Sequence, residues 1–447
     1  MAPLSSLRQL SNLIHNQSTP SRKNAAKATS HCLTSMMPPT QMMSYQIPLW
    51  RTLRASSQQP VFNSLRLLCL PKEYVFAFAH GTFKAAALRV CLETNVTEIL
   101  AQAGPDGLHV REIGAKSNLD SAKLARIMRY LALHHIYREI APNIFTNNRL
   151  SVVLDTGKSI SELALYPDKK HINASGFTAA ASFTLGLCAK SATYVLETLR
   201  DPARGFSTEV RDSACNRMLG IDVPLWTWWE GPEQKEDREL FTFAVKGYAG
   251  MQPVDAILQS FPWERLPQDA VVVDVGGGVG SAPRLCPRVE ISGARSSQGL
   301  SNPSKSSSQR TIFFEPQPIR DASVFFLRYI VHDWPDAYAR KILTQLHKAA
   351  TPQTTLVILD HILPYASPSN ASEHAHAPPP APLLPNYGGA NAMGYALDMI
   401  MLATINSQER TIGDVTKLLG SAGWRLERQI YIEGSSGFFH AVHAVPV

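Results

Sequence analysis

271-VVVDVGGGVGSAPRL-285 is a run of valines that ends in glycines at 276, 277, 278 and 280. A valine-rich run without polar alternation suits a strand buried on both faces, as in a parallel sheet covered by helices. A glycine turn at the carboxyl end of such a strand lets the backbone approach a nucleotide closely, and open α/β sheets carry their ligands at that edge. The spacing is Asp274-x-Gly276-x-Gly278-x-Gly280. The dinucleotide fingerprint G-x-G-x-x-G needs a glycine where Ser281 stands, which disfavours a nicotinamide oxidoreductase. Glycine-rich turns occur in many proteins, so the spacing alone leaves the ligand open.

Downstream, from about residue 266, strand-like and helix-like segments alternate. The apolar runs 270-AVVVDV-275, 322-ASVFFLRYIV-331 and 355-TLVILDHIL-363 read as strands. Helical patterns occupy 336–350 and 410–423, and 424–434 and 437–445 read as a final pair of strands. Two insertions rich in Pro, Ser and Ala, at 290–311 and 366–392, interrupt the series. The second strand runs into 332-HDW-334, which puts His332 at the sheet edge where such folds place their chemistry. A lone histidine is usually structural. Here two acids, Asp360 and Glu409, also fall near strand ends or loops of the same domain. Asp333 reads equally well as a turn or cap carboxylate.

Upstream, residues 73–150 read as short helices followed by a hairpin. Apolar residues at Leu88, Cys91, Leu92, Val96, Ile99 and Leu100 repeat at a helical period, predicting one helix that Gly104 and Pro105 stop. Two further helices and a hairpin over 136–148 complete a winged-helix-like pattern. Lys123, Arg126 and Arg129 on the second of these helices invite a DNA-binding reading. The simpler reading is a solvated basic face opposite Leu124, Ile127, Met128 and Leu131, and the chain has no accompanying basic patch. Residues 151–265 read as mostly helical. Within them Trp226, Trp228 and Trp229 cluster, either as core or as the lining of an apolar pocket.

A length of 447 residues suggests two or three domains. The six cysteines are scattered without a Cys-x-x-Cys pair, which argues against a zinc site or disulfide framework and suits a reducing, cytoplasmic setting. No apolar run is expected to reach the ~18–20 residues that span a bilayer. The net charge of +7 is uneven: no Asp or Glu precedes Glu73, whereas eight Lys and Arg do. Residues 1–72 therefore read as a basic leader, either a disordered extension or a transit-type segment. The charges are too dispersed for a nucleic-acid tail.

The segments 272-VVDVGGGVGS-281, 326-FLRYIVHDWPD-336, 355-TLVILDHILPYA-366, 384-LPNYGGANAMGYALDMIMLATINSQERT-411 and 420-GSAGWRL-426 together resemble the plant and fungal small-molecule O-methyltransferases. The stretch from 86-AALRVCLETNVTEIL-100 to 130-YLALHHIYRE-139 is similar to the fungal branch that acts on polyketide-type phenols. The resemblance covers most of 75–447. It implies an α/β fold: a Rossmann-like class I methyltransferase domain over 266–447, preceded by an all-α winged-helix-like dimerisation domain over 73–150 and a helical, substrate-lining region over 151–265. It implies S-adenosylmethionine as cofactor, held by Asp274, Gly276, Gly278, Gly280 and Arg328, and no metal. His332 is then the general base, oriented by Asp360 and Glu409. Trp226, Trp229, Asp398 and Met399 fall near the acceptor, an aromatic small molecule. A homodimer is implied, with neither nucleic acid nor membrane as partner.

The chain departs from that family at 282–311. Pro283 and Pro287 would break the expected helix. Glu290 is the only carboxylate between Asp274 and Glu315, so the acid expected to grip the cofactor ribose is missing. Ile312 stands where the family commonly has an Asp beside the adenine. These losses predict weak or absent cofactor binding. They raise a second reading, a non-catalytic methyltransferase-like regulator or dimerisation partner.

Overall fold

A computed structural model describes residues 70–277, 313–367 and 384–447. The leader up to residue 69 and the departing segment 282–311 lie outside the described residues, as do Gly278 and Gly280. The described chain separates into two compact units, one of Val75–Gln252 with Leu402–Asn406, the other containing Pro253–Met401 and Ser407–Val447.

The second unit is built on a five-stranded sheet of order β4-β5-β6-β8-β7. β4 (Val272–Asp274), β5 (Val324–Arg328) and β6 (Thr355–His361) run parallel, and β8 (Phe439–Pro446) and β7 (Trp424–Tyr431) add antiparallel. The apolar runs are continuous because both sheet faces are covered. Val273, Phe325, Leu327, Leu356 and Ile358 enter one core. Their sequence neighbours Val272, Val324, Phe326, Val357 and Leu359 enter the other, with Ile257, Trp263 and Phe439. This is the period-2 alternation of a strand with nothing left for solvent.

The helix Asp336–Ala349 lays Ala339, Ile342, Leu343 and Leu346 on the first core. Beside it, Ile412–Ser421 contributes Val415, Leu418 and Leu419, and starts at a capping box in which Thr411 and Asp414 exchange hydrogen bonds. Trp424, at the start of β7, is fully buried and its indole N–H donates to the Leu343 carbonyl at 2.9 Å. β4, β5 and β6 pair in parallel, so their carboxyl ends share one rim, and the helix Asp336–Ala349 makes the crossover from β5 to β6.

The first unit carries the winged-helix-like arrangement read from the sequence: helices Gly81–Glu93, Val96–Ala103, Val110–Ser117 and Ser121–Leu133, and a small sheet of order β1-β3-β2 made by Leu108–His109, Ile144–Thr146 and Arg138–Ala141. The single helix expected over 83–104 is two. Asn95 adopts a left-handed φ of 60° and breaks it, so the apolar period continues across a kink. Arg129, one of the three residues behind the DNA-binding reading, is committed to a forked pair with Glu139, at 3.0 and 3.1 Å.

One expectation is corrected. The stretch Pro71–Glu93 is, by length and composition, apolar enough to cross a membrane. It divides into the helices Pro71–Ala79 and Gly81–Glu93, and leaves Val75, Phe76, Phe78 and Phe83 exposed. A second element also went unanticipated: the helix Ala392–Ile405, apolar on nearly every side, which shows no amphipathic stripe to read.

Candidate active site

At the carboxyl end of β5 the chain turns sharply. Tyr329 takes φ 55°, a left-handed conformation that costs a non-glycine residue about 1 kcal/mol or more. Its N–H is held twice, by the Leu359 carbonyl at 3.2 Å and by Asp360 Oδ1 at 2.9 Å. The turn leads into a single 3₁₀ turn, Val331–Asp333, which carries His332. The imidazole is buried, with the Tyr329 ring 5.4 Å from it between centroids. Its Nδ1 lies 2.7 Å from Glu409 Oε1, and its Nε2 lies 3.4 Å from Asp333 Oδ1. Glu409 is itself held, its backbone N–H donating to Asp398 Oδ1 at 2.8 Å.

The charges around this ring are uneven. Burial disfavours the imidazolium, yet Glu409 first and Asp333 next outweigh it, and the His332 pKa is pushed up to about 10. Burial pushes Asp333 up to about 7 and Asp360 up to about 6, in both cases against the pull of His332. Burial also raises Asp398. Such an arrangement favours the protonated form of the ring.

The glycine turn lies against this histidine turn. Gly276 has φ 75°, and a Cβ placed on it would sit 2.5 Å from Ile330 Cδ1, two residues before the histidine. A Cβ on Gly277 would fall 2.0 Å from Asp274 Oδ2. Only glycine lets the backbone fold this tightly over the end of β4. Asp274 is buried; desolvation raises its pKa to about 6, against the opposing charge of Arg328. Arg328 lies 5.8 Å from the Tyr329 ring centroid. Carboxylate, bare backbone and guanidinium thus meet where β4 and β5 end, a fit for a nucleoside that carries a cationic centre.

In the other unit, Trp226 and Trp229 form an aromatic cluster with Phe183 and Phe241. Ring centroids are 5.3 Å apart between the indoles and 4.6 Å from Trp229 to Phe241. Both indole N–H groups are buried without a partner among the described residues. Met399 is exposed.

Comparison with known proteins bears on the site as a whole. An O-methyltransferase domain model matches residues 294–425, beginning inside the segment expected to fall outside the resemblance. The chain is 40% identical over 401 residues to 4-O-methyltransferase 1 of Phanerochaete chrysosporium, covering 84% of this chain and 85% of that one. The chain belongs to the O-methyltransferase family. The same fungus has a second relative, 3-O-methyltransferase 2, at 29% identity over 78% of this chain and 76% of that one. O-methyltransferase tpcA of Aspergillus fumigatus is 28% identical over 80% of each chain.

Solved structures share the fold at lower identity. LepI in complex with S-adenosylmethionine matches with a TM-score of 0.65 at 18% identity, over 91% of this chain and 99% of that one. The mitomycin 7-O-methyltransferase MmcR matches at 0.59 and 19%, over 84% of this chain and 98% of that one. The fold is that of the class I methyltransferases with a helical N-terminal domain, and S-adenosylmethionine is the cofactor of the family.

For this O-methyltransferase the sequence picked out His332 and Glu409, which meet, and Asp360, whose hydrogen bond goes to the Tyr329 backbone. It gave Asp333 no more than an even chance of mattering, although that carboxylate faces Nε2. It also passed over Ser407 and Arg410, which hold the histidine turn from the side. The run 407-SQER-410 offered a signal, since four consecutive polar residues that are mostly buried need partners.

Proposed function

We propose that the chain transfers a methyl group from S-adenosylmethionine to a hydroxyl of an aromatic, phenol- or polyketide-like small molecule, with His332 as general base. The 2.7 Å contact between His332 Nδ1 and Glu409 carries this reading. In the neutral ring Glu409 accepts a hydrogen bond from Nδ1–H, which leaves the Nε2 lone pair free to take a proton. Nε2 removes the hydroxyl proton of the acceptor as its oxygen gains the methyl carbon, and the imidazolium so formed lies between Glu409 and Asp333. Asp274, Gly276, Gly277 and Arg328 would hold the cofactor at the rim, with Gly278 and Gly280. The cofactor supplies a methyl group on a cationic sulfur.

Asp360 would act on the base indirectly, by fixing the Tyr329 turn that presents it. Asp398 would steady Glu409 on the acceptor side. Trp226, Trp229 and Met399 are carried as acceptor-side residues on the family resemblance alone. The chain is proposed to act as a homodimer, as the family resemblance implies, in the reducing, cytoplasmic setting that its scattered cysteines suit.

Calorimetric titration with S-adenosylmethionine, run on the parent and on His332→Gln, tests the reading together with turnover on a panel of phenols. Binding in both, with turnover lowered ~10²–10⁴-fold in the variant, is expected. No heat in either would favour the non-catalytic, dimerising reading. Equal turnover in both would remove His332 from the chemistry.

A further inference from the structure

The base turn is gripped by one short segment of chain. Ser407 Oγ donates to the His332 carbonyl at 2.6 Å. Arg410 is buried, its Nη1 donating to the Val331 carbonyl at 2.8 Å and its Nη2 to the Trp334 carbonyl at 2.7 Å. The same guanidinium meets Asp336 Oδ1 at 2.8 and 3.0 Å, and Gln408 Nε2 reaches that oxygen at 3.1 Å. Between Ser407 and Arg410 stands Glu409, on the imidazole itself. The backbone of Arg410 is anchored in turn to the continuation of β6, through a parallel bridge with Ile362 and a hydrogen bond from the Leu363 N–H at 2.9 Å.

Three carbonyls of one turn, at 331, 332 and 334, are therefore satisfied by side chains of 407 and 410, while the side chain of 409 engages the ring. We propose that Arg410 is the positioning residue of the base: its planar fork spans the two carbonyls on either side of His332 and so sets the ring on Glu409. This rests on reading His332 as the base. A lysine has the charge but not the fork, and one ammonium cannot reach both carbonyls and Asp336 in the same plane. A buried guanidinium with four hydrogen bonds from its three nitrogens also gives the turn a single position, whereas a turn satisfied by water has several.

The consequence is read at the imidazole. His332 is faced by Glu409 from the gripping side, by Asp360 and His361 from β6, and by Asp333 on its own turn, while Asp398 acts on Glu409 from behind. The closest of these charges is Glu409, so a ring that drifts from it loses affinity for its proton.

The test follows the His332 resonance by NMR in ¹⁵N-histidine-labelled full-length chain, assigned by its loss in His332→Gln. The chain is titrated as parent, Arg410→Lys, Ser407→Ala and Glu409→Gln, with thermal stability recorded for each. Arg410→Lys is expected to lower the His332 pKa by about one unit, a tenfold change in proton affinity, and Ser407→Ala to lower it less. Should Arg410→Lys not fold, Ser407→Ala alone carries the expectation. An unmoved titration in folded variants, whatever their melting temperature, would overturn the positioning role. If Glu409→Gln shifts the titration while Arg410→Lys does not, the base reading stands and this one falls. Turnover unaffected by His332→Gln removes the base reading instead.

Discussion

At the residue scale the site is a question of which oxygen faces which nitrogen. Glu409 owns Nδ1 of His332, Asp333 faces Nε2, and Asp360 holds the backbone of Tyr329. Removing each acid should therefore fail differently. Asp360→Asn keeps an oxygen for the Tyr329 N–H and removes only charge, so we expect a fall in kcat of less than tenfold. Asp360→Ala removes the shorter of the two hydrogen bonds on the strained Tyr329 N–H and should cost about 0.5–1.5 kcal/mol of stability as well, the net worth of one hydrogen bond. Chemical denaturation of the two variants separates these outcomes; equal stabilities would remove Asp360 from the turn. Gly277→Ala drives a methyl group to 2.0 Å from Asp274 Oδ2 and should abolish cofactor binding in a chain that still folds, which calorimetry reads directly. The glycines and the histidine were legible in the sequence because each sits at a strand end beside a recognisable apolar run. The separate duties of the acids were not, since spacing along a chain does not say which atom a carboxylate meets.

At the element scale the rim exists because β4, β5 and β6 are parallel, and the crossover from β5 to β6 is one amphipathic helix. The helix Asp336–Ala349 is the one that returns from the base turn, and its buried Leu343 carries both a core contact and the acceptor for the Trp424 indole. Leu343→Ala should cost about 2–5 kcal/mol. Trp424→Phe keeps most of the volume and removes one hydrogen bond whose acceptor keeps its helical partner, so it should cost about 0.5–1.5 kcal/mol. Both are checked by urea unfolding, and a smaller loss in Leu343→Ala than in Trp424→Phe would count against this packing. The strands and this helix were readable from the sequence, because burial on both faces of the sheet leaves uninterrupted apolar runs. The helix Ala392–Ile405 was not readable, since a segment apolar on nearly every side carries no period. The break at Asn95 was hidden for the opposite reason: the apolar period runs straight through it, and only the backbone changes hand.

At the scale of the whole molecule, the buried acids give stability a definite pH dependence. Asp333 rises from an unfolded value near 3.8 to about 7 in the fold. A group raised on folding contributes stability that is complete below its unfolded pKa and is lost as pH climbs through its folded one. Asp333→Asn removes that loss, so the melting temperature of the variant relative to the parent should rise between pH 4 and pH 8. A flat difference across that window would mean that Asp333 is not buried as a carboxyl. The proposed homodimer belongs to the same scale. Sedimentation of the full chain should give twice the mass of 49.1 kDa. A monomer would remove the resemblance-based expectation without touching the site.

The account stands most directly on the tie between His332 and Glu409, and the pH–rate profile of a single turnover measures it. In the parent the rate should rise with pH as the imidazole loses its proton, with the limb set by a raised pKa. In Glu409→Gln the limb should move to lower pH while the plateau falls, because the carboxylate that held the proton is gone. A limb in the same place in both enzymes would contradict the assignment of His332 as the base that Glu409 holds.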